Sequence, residues 1–206
     1  HLGWRSYRVE VTPRRAHHSM AVIVPATYGA PVESPPLEAP AQQTFDLGGI
    51  GFGIRIESLR REELSTEVMR EVGGLYHDGF GDKRCCLCCF EPESSVQANS
   101  RAAYMKFPDS KLEACGVARD ADGHVLGLAQ LGFRDTPGDW ELPSFLVNIP
   151  KSDTSHLERI VVGSKARGKG LGNKLLDWVD SKSRERGCTR VKLEVVRGNP
   201  AKKLYE

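Results

Sequence analysis

Leu157–Gly172 reads LERIVVGSKARGKGLG. The apolar run Ile160-Val161-Val162 stops at Gly163 and a basic turn follows. From Leu171, the residues Leu171, Leu175, Trp178 and Val179 recur at i, i+4, i+7 and i+8, the spacing of one helix face. The order is therefore strand, glycine-rich turn, helix. Glycines let the backbone approach a ligand without Cβ collisions. The first helical turn carries N–H groups without internal partners and a partial positive charge. Together they form a seat for phosphate, with Arg167, Lys169 and Lys174 adding full charges around it.

Three phosphate motifs compete for this stretch. Gly163-x4-Gly168-Lys169 approaches a P-loop, but position 170 is Gly where that motif needs a Ser or Thr for magnesium. A dinucleotide fingerprint fits Gly168 and Gly170 and fails at Asn173. The pattern R-x-x-G-x-G is matched in full by Arg167, Gly170 and Gly172. With the strand before it, the helix after it, and a second strand leading into Asn199-Pro200-Ala201-Lys202-Lys203-Leu204-Tyr205-Glu206, the chain resembles the GNAT superfamily of acyl-CoA-dependent N-acetyltransferases. The resemblance runs from about His156 to the end and more faintly from about Ile54.

Composition bounds this reading. The 206 residues fit one domain with extensions and are enough for a full core. Hydrophobic residues make up 39% and charged residues 27%, an ordinary globular balance. No apolar run reaches the roughly 18 residues of a membrane helix, so no membrane partner is expected. A net charge of +2 gives no footing for nucleic acid, but its distribution is uneven. From His156 onward 13 Lys and Arg face 6 Asp and Glu, placing the basic charge where a polyanionic cofactor would lie. Four of the six cysteines are bunched in Cys85-Cys86-Leu87-Cys88-Cys89, without a partner pair at zinc-site spacing. We expect free thiols, no metal, and a reducing, cytoplasmic setting. The Arg- and His-rich first 20 residues leave an organelle transit peptide as the other option.

Residues 1–50 read as a disordered, proline-rich extension, with Pro25, Pro31, Pro35, Pro36 and Pro40 breaking any regular element. Residues 51–206 read as the domain. Its expected elements are a strand at Gly53–Leu59, a helix at Glu62–Tyr76, and a short helix at Ala98–Met105. A hairpin of Lys111–Arg119 with His124–Phe133 around Asp120-Ala121-Asp122-Gly123 follows. Asp135–Ser155 reads as a loop, Thr189–Val196 as a strand, and Asn199-Pro200 as a helix start with Asn as N-cap.

The resemblance implies an α/β (α+β) fold: a mixed central sheet flanked by helices. Such domains end with two further strands, so the chain reads as truncated at both ends. The implied reaction is acetyl transfer from acetyl-CoA to a primary amine, on a small molecule or a protein. Oligomeric state is not legible. The pantetheine arm would pair with Ile160, Val161 and Val162, and the pyrophosphate would sit on Gly168, Lys169, Gly170, Leu171 and Gly172 beside Arg167. Asn199 would hold the cofactor arm or cap its own helix. Tyr205 matches the family's acid, which returns a proton to the thiolate. Glu158 matches a base in several members, or else a strand-face carboxylate paired with Arg159 or a lysine. His156 is a weaker candidate. A catalytically silent acyl-CoA-binding or interaction module on the same fold is the alternative function.

Overall fold

A computed structural model describes residues 6–11, 44–45, 53–80, 92–136, 149–196 and 201–205. In chain order the elements are β1 (Ser6–Val11), β2 (Thr44–Phe45), β3 (Ile54–Ser58), α1 (Thr66–Phe80), α2 (Glu93–Lys106), α3 (Asp109–Leu112), β4 (Cys115–Arg119), β5 (Val125–Gly132), β6 (Thr154–Val162), α4 (Leu171–Glu185), β7 (Arg190–Val196) and α5 (Lys202–Tyr205). The strands form one seven-stranded sheet in the order β1-β7-β6-β5-β4-β3-β2. Among the described strands only β6 and β7 run parallel; the other neighbours are antiparallel. A parallel pair needs a crossover, and α4 supplies it.

Helices cover both faces of the sheet. On one face, Met69, Val72, Leu75 and Tyr76 of α1 and Val96 and Tyr104 of α2 pack on Cys115, Val117, Leu128 and Val161. On the other, Leu171, Leu175 and Val179 of α4 pack on Ala129, Leu131, Leu157, Val191 and Leu193, with Tyr205 against the same cluster. The i, i+4, i+8 stripe of α4 is thus its buried face, as the spacing predicts.

The strand β6 does not alternate simply. Leu157 and Val161 are four apart, and a regular strand would turn them to the same face. They face opposite cores. The register explains this: Leu131 pairs with Leu157 but Gln130 pairs with Arg159, so Glu158 is an extra residue without a partner. A bulge of one residue reverses the parity of everything beyond it.

Three sequence expectations need correction. Residues 1–50 are not disordered throughout: Ser6–Val11 pairs antiparallel with Val191–Val196 of β7, and Thr44–Phe45 pairs with β3. An open strand edge carries unpaired N–H and C=O groups, and SYRVEV, alternating polar with apolar, can satisfy them. Lys111 is not in a strand but in α3, and β4 starts at Cys115. Thr154–Ser155 belong to β6 rather than to the preceding loop. The cysteine cluster at 85–89, the apolar members of the 135–155 loop from Trp140 to Val147, and Asn199 lie outside the described residues.

Candidate functional site

The centre of the site is a gap between two neighbouring strands. β6 and β7 pair from Thr154/Arg190 to Leu157/Leu193. Past that point β6 stays paired with β5 to Val162, and β7 stays paired with β1 to Val196. Among the described residues, no pairing joins 158–162 to 194–196. The strands diverge, and each turns one edge of backbone donors and acceptors to the opening. A splay of this kind is suited to an extended ligand arm added as a strand. Ile160, Val161 and Val162 line it as expected, with Val161 buried and Ile160 and Val162 partly exposed.

The glycine turn closes the end of this gap. The N–H of Gly163 donates to Leu126 O at 2.9 Å, which fastens the strand end. Ser164–Ala166 forms a 3-10 turn, and Arg167–Gly170 is exposed. Gly168 and Gly170 have φ of 74° and 87°, in the left-handed region that a side chain disfavours. The first backbone bonds into α4 come from Asn173 and Lys174, both to Gly170 O. The N–H groups of Leu171 and Gly172 precede that ladder and suit an anion. Leu171 itself is buried, so its side chain pins the helix start to the core.

Arg167 is held by the fold. Its Nε donates to Val162 O at 2.9 Å, and its Nη2 donates to the carbonyl and carboxylate of Asp78 at 3.2 and 3.1 Å. The same carboxylate accepts the Ser164 N–H at 2.9 Å. The guanidinium thus braces the turn against the end of α1. Lys169 is exposed, and Lys174 pairs with Asp177 at 3.6 Å.

Tyr205 stands at the inner end of the gap. It lines a small cleft with Leu157 and Leu193, the last paired residues of β6 and β7, and with Asn173, Leu176 and Leu204. Burial raises its pKa above the usual 10. Gly172 meets this helix directly, since a Cβ there would lie 3.0 Å from Leu204 Cδ2.

Glu158 is on the opposite face, among groups that the sequence did not suggest. Lys111, fully buried, donates from Nζ to both its carboxylate oxygens at 2.9 and 2.8 Å. The same ammonium reaches Leu131 O at 2.8 Å and Thr136 O at 3.2 Å. Gln130 Nε2 donates to Glu158 Oε2 at 2.7 Å. Beyond it, the Tyr76 and Tyr104 hydroxyls share a hydrogen bond of 2.6 Å, and the one that accepts in it is free to donate to Gln130 Oε1, which lies 3.5 and 3.4 Å from the two. Burial raises the pKa of both tyrosines and pushes the neighbouring Cys115 thiol up to about 12, so that thiol is inert. Arg159 lies over the Tyr76 ring at 5.3 Å rather than beside Glu158. Gln130, the one polar side chain in VLGLAQLG, is the signal that could have announced this network.

The turn, the splay and Tyr205 come together at one end of the sheet. Glu158 borders the splay from the far face. His156 pairs across the sheet with Gly132 and Lys192, where β6 and β7 are still together. Among the described residues no group of three or more His, Cys, Asp and Glu could hold a metal ion, and no helix is long and apolar enough to cross a membrane.

A model of the acetyltransferase (GNAT) family matches residues 84–206, more than half of the chain, and the chain belongs to that family. The family uses acetyl-CoA as its acyl donor and carries out acetyl transfer. Solved structures share the fold. An N-acetyltransferase from Staphylococcus aureus superposes with a TM-score of 0.53 at 17% identity, over 73% of this chain and 86% of its own. PH1933 from Pyrococcus horikoshii gives 0.52 at 20% identity, over 74% and 85%. The PaiA N-acetyltransferase from Thermoplasma acidophilum, solved with coenzyme A, gives 0.50 at 17% identity, over 75% and 86%. Among curated proteins no sequence matches.

Proposed function

We propose that this protein transfers the acetyl group of acetyl-CoA to a primary amine, on a small molecule or a protein. The observation that carries the proposal is the divergence of β6 from β7 after Leu157/Leu193, with a glycine turn at one end and Tyr205 at the other. The co-substrate fits this gap by chemistry. Its amide-bearing arm matches two free strand edges, and its pyrophosphate matches the N–H groups of Gly168–Gly172. When bound it supplies an activated acyl group.

The protein's own residues do the rest. The open edge of Ile160–Val162 holds the arm straight, and the backbone N–H of Ile160 or Val161 stabilises negative charge that develops on the carbonyl oxygen. Tyr205 keeps its proton at neutral pH and delivers it to the leaving sulfur. The apolar lining from Leu157, Leu193 and Leu204 restricts water there. Asn199, outside the described residues, assists the cofactor arm on the resemblance alone.

Gly170→Asp tests the seat. It forces a Cβ onto a left-handed residue and puts a carboxylate beside the phosphates. Two unit charges about 5 Å apart at an effective dielectric of about 20 repel by roughly 3 kcal/mol, or about a hundredfold in affinity. Calorimetry with CoA should show that loss; unchanged affinity would sink the assignment. Thiol release from acetyl-CoA with small amines, peptide N-termini and lysine peptides then identifies the acceptor. CoA binding with no thiol release for any of them selects the catalytically silent module instead.

A further inference from the structure

Lys111 is fully buried, yet it makes no contribution to the chemistry described above. A buried ion pair is seldom retained for stability alone. Desolvation offsets most of its attraction, and apolar residues of similar volume often do as well. Its best attested use is to fix register. Lys111 is placed for that use. One ammonium ties three points: Leu131 O at the end of β5, Thr136 O beyond it, and the carboxylate of Glu158 on β6. Glu158 is the bulge residue itself, the one that reverses the parity of β6. A slot is kept for it, because a Cβ on Gly132 would collide with Glu158 Oε1. Gln130, at the register shift on β5, holds the other side of the carboxylate.

The bulge also coincides with the opening of the splay. The last β6–β7 pair is Leu157/Leu193, and Glu158 is the next residue. Were the extra residue absorbed, every residue from 159 to 162 would slip by one and change face. Val161 would leave the α1/α2 core, and the edge offered to the cofactor arm would be lost.

We propose that Lys111, Gln130 and Glu158 form a positioning device that locks the bulge of β6 and so sets the edge that Ile160–Val162 present to the pantetheine arm, with Glu158 serving as a fixed anion and not as the proton acceptor. This rests on the acetyl-transfer reading above. A general base needs a lone pair aimed at the acceptor. Three of the roughly four acceptor sites of the Glu158 carboxylate already take charge-assisted or amide hydrogen bonds, and the side chain is only 11% exposed.

The test is the double substitution Lys111→Met/Glu158→Met, which removes both charges and leaves apolar volume. A melting temperature near that of the wild type is expected, because neither charge is left unpaired. CoA affinity by calorimetry should fall about tenfold or more, the KM for acetyl-CoA should rise with it, and kcat should stay within about tenfold. The acid limb of kcat/KM should keep its pH. A kcat loss of 10²–10⁴ with unchanged CoA affinity and no acid limb would make Glu158 the base and overturn the proposal. Unchanged affinity and unchanged kcat would also overturn it. Should the double variant not fold, Glu158→Gln decides. A partly unfolded enzyme scales the pH profile without moving its limb, whereas loss of a base abolishes the limb. Absence of CoA binding by the wild-type chain would remove the acetyl-transfer reading, and this proposal with it. The other negative results remove this proposal alone.

Discussion

Tyr205→Phe separates acid catalysis from packing. The substitution keeps the ring that packs on the α4 cluster and removes one hydroxyl. Among the described residues no hydrogen bond engages that hydroxyl, so its loss leaves no buried partner unsatisfied. The stability change should stay within about 0.5 kcal/mol, or about 1–2 °C in Tm for a chain of this size. Affinity for acetyl-CoA should be unchanged, since the seat at Gly168–Gly172 and the edge of β6 are untouched. Turnover should fall about 10²–10⁴-fold, equivalent to about 2.7–5.5 kcal/mol of barrier. The pH dependence follows from burial, which raises the phenol's pKa. The protonated form is the donor. Wild-type kcat should therefore hold to about pH 10, the ordinary value, and fall only as pH rises through the higher folded value. The stability that burial of the neutral phenol contributes has the same sign: present below about 10 and lost above it. In the Phe variant the residual rate should show no such alkaline limb. Stopped thiol-release assays across pH, with calorimetry and thermal melts on the same samples, read all three quantities. A Phe variant with kcat within about threefold of wild type, or one whose only defect is a lower Tm, would show that Tyr205 is a packing residue.

Gly116→Ala should destabilise by about 1–3 kcal/mol, roughly 2–12 °C in Tm, because its Cβ would meet the Trp178 ring at 2.6–2.8 Å. In a Trp178→Leu background the same change should cost less than half as much, and equal costs would exclude that contact as the cause. His124 Nδ1 lies 2.8 Å from Glu71 Oε1, and that hydrogen bond, then the charge, raises the imidazole pKa above 6.5. The contribution is present below 6.5 and lost as pH rises through the raised folded value. Glu71→Gln should bring the His124 midpoint by NMR back toward 6.5, and an unmoved midpoint would refute the pairing.

What the sequence revealed of the candidate site is what backbone chemistry controls. The order of strand, glycine turn and helix is local: Ile160 to Leu175 contains it whole. The α4 stripe is local in the same sense, since its period is set by one helix. The splay could be expected only through the resemblance, because divergence of β6 from β7 depends on residues about 35 positions apart. The β1 strand was hidden for a different reason. The five prolines from Pro25 to Pro40 set the character of residues 1–50, while six residues of alternation in SYRVEV went unweighed.

Glu158 shows where local reading stops. Its position on the strand before the turn suggested a base, and a strand carboxylate facing an open groove would have the freedom to be one. That freedom depends on its neighbours. Lys111 is 47 residues earlier, and in sequence it looks like the start of a strand. The bulge was equally silent, although LERIVV carries a trace of it: Leu157 and Val161 share a parity yet serve opposite cores. A period-2 pattern cannot record an inserted residue unless both cores are known. The carboxylate's surroundings are thus set by a tertiary contact, while the glycine turn is set by covalent order. The two halves of one site therefore differ in how far sequence alone can reach them.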